Sequence, residues 1–213
     1  MKGYMTKLGR AALGVLALYL TIWPHEMGHS VAAFLFGCKA DWWRTDMSVY
    51  LWSSWAGKVD YRCLETKGST ALGTVDFAGI AVNLFLLALC PILGGWYRGR
   101  AAVSGRAGWI LLATVWWAWA NYAEAFSYLI VNTAWLTSDM KTVVVATGIG
   151  RWVWFTAGVS AASAIGWLMW RPTKWAAAVL AAPQPARGWV PAVFPLYALV
   201  AGGAMSAARI VLT

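Results

Sequence analysis

The sequence predicts an all-α polytopic membrane protein with about five transmembrane helices and a small interfacial β-hairpin segment. Three observations lead there. Of 213 residues, 61% are hydrophobic and only 12% are charged, far from the balance of a soluble domain. Several apolar runs approach or exceed the roughly 20 residues that a helix needs to cross a bilayer. The 17 Lys and Arg, against 8 Asp and Glu, lie mostly between those runs, as in proteins whose basic loops set their topology. The net charge of +9 therefore implies a lipid bilayer as partner and no nucleic acid. The 17 Trp fit the same setting, because Trp favours the membrane interface and close helix packing. Residues 1–213 read as a single membrane-embedded domain.

Residues 1–10 form a basic leader with Lys2, Lys7 and Arg10. The apolar run 11–36 is the first expected helix. At 1.5 Å per residue it is about 39 Å long, more than a hydrocarbon core, so it must tilt or bend. Pro24 removes a backbone donor and is an expected kink. The leader and this run together resemble a signal peptide, with Val31-Ala32-Ala33 as a cleavage site. The run is too long for one, and the chain is expected to keep it.

Residues 37–75 are the one sizeable polar segment. Val49 to Trp52 and Val59 to Cys63 are rich in aromatic and β-branched residues around Ser53, Ser54 and Gly57, which reads as a strand pair. Trp42, Trp43, Trp52 and Trp55 place it at the interface. Further spans are expected at 76–95, 109–132, 152–170 and 192–212. A loop at 96–108 carries Arg98, Arg100 and Arg106. Ser138 is an expected cap for a helix beginning at Asp139, and Gly148 and Gly150 end that helix. Arg171-Pro172-Thr173-Lys174 closes the fourth span. Residues 175–182 are then too short to cross and read as an interfacial or re-entrant piece. The basic loops place the N-terminus in the cytoplasm. Three cysteines, Cys38, Cys63 and Cys90, form no Cys-x-x-Cys pair, so neither a thiolate zinc site nor a redox motif is expected. A Cys38–Cys63 disulfide is one option, and Cys90 reads as core.

The chemistry concentrates in His25-Glu26-Met27-Gly28-His29, which contains the only two histidines. Residues four apart on a helix share a face, so both imidazoles can reach one ion. Glu26, beside them, can take a proton from an attacking water. Ionisable side chains at bilayer depth are costly, and they mark function. A catalytic zinc takes three protein ligands and keeps one position open. With no third histidine, the third ligand should be a carboxylate. Asp76, Glu124 and Asp139 are the candidates. Asp76 also reads as an ordinary helix-start residue. Glu124 follows Asn121 by three residues, an echo of the Asn-Glu pairs of soluble gluzincins. Asp139 starts a helix after a polar break.

Pro24 through Ala33, Pro-His-Glu-Met-Gly-His-Ser-Val-Ala-Ala, resembles the metal-binding helix of the site-2 protease family of intramembrane zinc metalloproteases. Ala78-Gly79-Ile80-Ala81-Val82-Asn83 resembles that family's Gly-Pro-x-x-Asn helix, with Ile80 in the proline's place. Asn132 through Asp139 is similar to its Asn-x-x-Pro…Leu-Asp-Gly motif. There Trp135, Ser138 and Met140 replace Pro, Leu and Gly, and the spacing is one residue shorter. The resemblance covers residues 11–150. It implies His25, His29 and Asp139 as zinc ligands and Glu26 as general base. It also implies that Asn83 and Asn132 bind substrate backbone or steady the intermediate, and that the 37–75 segment holds the substrate extended; hydrogen bonding between helices is the structural alternative for both asparagines. The implied activity is hydrolysis of peptide bonds in transmembrane protein substrates. The chain's size and economy suggest a multi-pass protein of a bacterial inner membrane. The family's orientation, with the metal nearer the cytoplasm, is opposite to that read from the basic loops. Two other classes fit the same residues. One is a proton or metal-ion carrier using His25, His29, Glu124 and Asp139. The other is a pseudoprotease that binds transmembrane helices without cutting them.

Overall fold

A computed structural model describes residues 7–46, 56–98, 106–181 and 190–212. The described chain is all α, with no β-ladder strand. Its helices are α1 (Lys7–Leu35), α2 (Tyr61–Lys67), α3 (Ser69–Arg98), α4 (Arg106–Phe126), α5 (Thr133–Trp135), α6 (Ser138–Thr147), α7 (Arg151–Ala181) and α8 (Val193–Leu212). A π-helical stretch, Ser127–Asn132, joins α4 to α5, and a 3-10 turn, Val190–Ala192, precedes α8. Three segments are long and apolar enough to cross a membrane: Ser69–Leu89, Arg151–Ala181 and Val190–Ala208. Large apolar side chains face outward, among them Phe85, Trp152, Trp167 and Val200. Such a surface suits lipid and would drive association in water.

α4 is the central helix, in contact with α1, α3, α7 and α8. α1, α4 and α8 run one way. Thr21 of α1 meets Asn121 of α4, and Ser206 of α8 meets Ser127 just beyond α4. α3 and α7 run back. Val75 and Asn83 of α3 meet His29 and His25 of α1, while Thr173 and Gly158 of α7 meet Trp119 and Leu129. The bundle thus has a basic end, where Lys7, Arg98 and Arg106 lie, and an opposite end capped by residues 36–46 and 56–68.

Pro24 has a structural use. It has no N–H to give the carbonyl of Leu20 one turn earlier, and Trp117 Nε1 of α4 donates to that carbonyl at 3.2 Å. The helix break is thereby converted into an α1–α4 contact. α1 stops at Gly37, whose φ of +72° is the left-handed conformation that ends many helices.

The capped end departs from the hairpin expectation. Val49 to Trp52 lies outside the described residues. The second limb, Val59 to Cys63, is no strand: α2 begins at Tyr61 because the Asp60 carboxylate accepts the Cys63 N–H at 3.0 Å. That local cap outweighs the β preference of the neighbouring aromatic and valine. Cys38 and Cys63 form a disulfide, Cα to Cα 5.5 Å, that ties the end of α1 to α2. Beneath it Ala32, Ala33, Leu64, Ala71 and Val75 form a small buried cluster. The Lys39 ammonium folds inward onto the carbonyls of Ala56 and Gly57. Burial lowers its pKa from the ordinary lysine value, against the opposing pull of Asp46 and Asp41.

Two further expectations change. α3 starts at Ser69, so Asp76 lies two turns inside it and is buried rather than at a helix start. α7 runs unbroken through Arg171-Pro172-Thr173-Lys174 to Ala181, so residues 175–181 extend the fourth helix and are no separate re-entrant piece. Pro172 and Thr173 are buried. Thr173 Oγ1 donates to the Met169 carbonyl at 2.7 Å and accepts from Trp119 Nε1 at 2.9 Å. This lateral anchoring on α4 holds the helix together where the proline interrupts its ladder. The rest of the 171–189 loop, including Pro183 and Pro185, lies outside the described residues, as does the Cys90 side chain.

Candidate metal centre

Two glycines let α1 and α3 meet at the histidines. A Cβ on Gly28 would lie 2.6 Å from the Ala78 carbonyl oxygen, and one on Gly79 would lie 2.5 Å from His29 Nε2 and 2.8 Å from His25 Nε2. Neither position has room for a side chain. The backbone of α3 therefore forms the floor beneath both imidazoles.

On this floor His25 Nε2 and His29 Nε2 stand 3.0 Å apart. Asp139 Oδ2 lies 3.7 Å from the first and 3.3 Å from the second. Zinc bonds of about 2.0–2.1 Å in a tetrahedron separate the donors by roughly 3.3 Å. The three observed edges straddle that value. Asp139 Oδ2 is buried and makes no hydrogen bond among the described residues, which is costly unless a cation takes it up. His25, His29 and Asp139 thus form a group that could hold a metal ion.

Each ligand is oriented from behind. His29 Nδ1 lies 2.7 Å from the Val75 carbonyl, which can only accept. Nδ1 therefore carries the proton and Nε2 offers its lone pair. His25 Nδ1 lies 3.1 Å from the Asn83 amide. An amide there serves either tautomer, donating to a bare nitrogen or accepting from a protonated one. A metal on Nε2 requires the second arrangement. Tyr128 stacks on the His25 ring, with centroids 4.8 Å apart and planes 18° from parallel.

Tyr128 reaches that position from the π-helical stretch, which is sealed by Thr133 Oγ1 donating to the Tyr128 carbonyl at 2.9 Å. Single π turns inside α-helices recur at functional sites. The chain then turns sharply. Leu136 and Ser138 have φ of +53° and +52°, a conformation that costs a residue with a Cβ about 1–3 kcal/mol. This turn aims Asp139 back at the histidines. The cap of α6 is Thr137, with no side-chain hydrogen bond. Ser138, expected as the cap, instead donates to Asp139 Oδ1 at 3.3 Å.

Glu26 is buried beside this group, close enough for its charge to act on His29. Glu124, the rival third ligand, is fully buried in α4 and falls outside the three-residue group. Its companion Asn121 donates to Thr21 Oγ1 and to the Trp117 carbonyl. Asn132 is fully buried, and neither atom of its amide has a partner among the described residues. Tyr61, at the start of α2, feels the charges of Asp76, Asp139 and Glu26. Burial first, and then those acids, push its phenol above the usual tyrosine value. It therefore stays a neutral O–H donor.

Tyr128, the Val75 carbonyl, Tyr61 and the Leu136–Ser138 turn were not marked by the sequence. A tyrosine in an apolar run and a backbone carbonyl carry no spacing signal. No known protein-family description, curated protein or solved structure matches this chain.

Proposed function

We propose that the protein is a membrane-embedded zinc endopeptidase acting on transmembrane protein substrates, with α1, α3, α4, α7 and α8 as its five crossings. The observation that carries this reading is the convergence of two imidazole nitrogens and one buried carboxylate oxygen beside a buried glutamate. Zinc suits a donor set of two neutral imidazoles and one carboxylate. When bound, it supplies an acidified water and a polarised scissile carbonyl. Glu26 takes the proton of the attacking water and returns it to the leaving amine. Asn83 and Val75 hold the two imidazoles, Ser138 holds the carboxylate, and Tyr128 screens one face of His25.

The two asparagines divide the work. Asn83 spends its amide nitrogen on His25 Nδ1. Asn132 has a free donor and a free acceptor, the pair that an extended peptide backbone needs. A helical substrate offers neither group, since its own ladder uses them. The substrate must therefore enter unwound, into a pocket walled by protein, because lipid cannot satisfy open backbone groups. The setting we propose is a bacterial inner membrane.

The test compares purified parent protein with Glu26→Gln for zinc content and for cutting of a transmembrane peptide. Both should bind zinc, and cutting should fall by about 10²–10⁴-fold in the variant, the usual contribution of a general base. A variant that cuts as fast as the parent sinks the mechanism. Zinc without cutting in either protein favours a helix-binding pseudoenzyme, and ion transport that survives in Glu26→Gln favours a carrier.

A further inference from the structure

We infer that the capped end of the bundle, and with it the mouth of the metal centre, faces an oxidising, extracytoplasmic compartment, so that the centre acts on the outer part of a transmembrane substrate. The orientation stands on its own. The statement about the substrate rests on the peptidase reading.

The first support is the disulfide. Cys38 and Cys63 are bonded across a separation of 25 residues, and disulfides persist outside the reducing cytosol. The cap is built around this bond. Asp60 N–H donates to the Cys38 carbonyl at 2.9 Å, Cys38 is 3% exposed, and Leu64, one residue past the partner cysteine, is fully buried.

The second support is charge. The basic loops already place the N-terminus, and so the end away from the cap, in the cytoplasm. The acids point the same way. Asp41, Asp46, Asp60 and Glu65 all lie in the cap, and no Asp or Glu lies in the stretches of sequence around Lys7, Arg10, Arg98 and Arg106. Those stretches carry basic residues with no acid near them in the sequence, and the anionic cytoplasmic leaflet attracts such stretches.

The depth of the centre follows from helix position. His29 lies six residues and His25 ten residues before the end of α1 at Leu35, about 9 and 15 Å along the helix axis. From Lys7 to His25 the distance is about 27 Å. The metal ligands therefore sit in the half of the bundle under the disulfide-bonded cap. Water reaches the site from that side, and the bond cut in a substrate lies in the outer half of its span.

The experiment reads compartment and not activity. Gly150→Cys places a thiol at the turn between α6 and α7, where a Cβ meets nothing within 4 Å. Ser104→Cys places one in the segment joining α3 to α4. Each is treated with a membrane-impermeant maleimide in intact cells and again after lysis, with the parent chain as blank. Gly150→Cys should label before lysis and Ser104→Cys only afterwards; any other pattern overturns the orientation. In parallel, Cys38 and Cys63 of the parent should resist alkylation in denatured membranes until a reductant is added, and reaction without reductant also overturns it. A chain that passes both tests yet cuts no peptide refutes the peptidase reading alone. A chain that cuts but labels in reverse refutes the orientation alone.

Discussion

The two halves of the bundle are held together by opposite means. Toward the basic end, Leu87, Leu111, Leu112, Val115, Trp116, Met169 and Phe194 fill the space between α3, α4, α7 and α8 with large apolar side chains. Toward the capped end, contact is made by glycine. Gly28 and Gly79 bring α1 against α3, Gly73 lies against Ala146 of α6, and Gly158 lies against the Leu129 backbone. The side chains there are polar and incompletely paired: Asn83, Asn132, Thr137 and Asp139 all carry buried atoms with no hydrogen bond among the described residues. One half is shaped by bulk and the other by its absence. The physical reason is that a close-packed apolar interior gives stability but no chemistry. A metal pocket needs polar atoms left free, and these destabilise it unless an ion or substrate takes them up.

If that division is right, substitutions should separate metal binding from stability. The largest effect is expected from Gly79→Ala. Its methyl group enters the space between the two Nε2 atoms, so the imidazoles or α3 must move, and zinc stoichiometry measured on purified protein should collapse. Gly203→Ala, where a Cβ meets nothing within 4 Å, is the matched control and should bind zinc like the parent. Equal zinc in both would mean that glycine does not build the site.

Phe194→Ala probes the other half. Its side chain is fully buried and its ring centroid lies 4.5 Å from that of Trp116. Losing it should cost about 3–5 kcal/mol, the range for large-to-small core changes. Denaturation in detergent should show that loss while zinc content stays unchanged. Zinc loss on the same scale would erase the distinction between the halves.

Asn83→Ala is a smaller test inside the polar half. Removing a group that orients a ligating imidazole should weaken zinc affinity by about 10–100-fold, read by competition with a chelator. Unaltered affinity would show that Tyr128 stacking alone orients His25. The smallest effect is expected at the turn before Asp139. Ser138→Gly relieves a φ of +52°, and it removes the hydroxyl on Asp139 Oδ1. The first effect should raise the melting temperature of the metal-free protein slightly, by up to about 1 kcal/mol in stability. The second should loosen the carboxylate and lower zinc affinity. A variant less stable without metal would show that the turn is unstrained.

The fold is most legible in the sequence where one helix carries the whole signal. The stretch His25 to His29, the apolar runs, and the glycines at 148 and 150 are local patterns, because a helix repeats every 3.6 residues and ends where a left-handed residue allows it. Asp60 shows how a local pattern can mislead. The same residues score as a strand by side-chain type and fold as helix by capping. Pro172 shows the converse, a breaker overridden by packing against Trp119.

By itself, the sequence determined that the chain is apolar and helical, and that two imidazoles share one helix face with a glutamate next to them, because these depend on neighbours along the chain. Only the tertiary structure decided which distant carboxylate joins them, since Asp139 reaches the histidines across 110 residues through a π turn and two left-handed residues that no spacing rule encodes. It also decided that Cys38 and Cys63 are bonded and that Asn83 meets His25, because both depend on how α1, α2 and α3 close together, and the glycines that permit that closure have no side chain to reveal it.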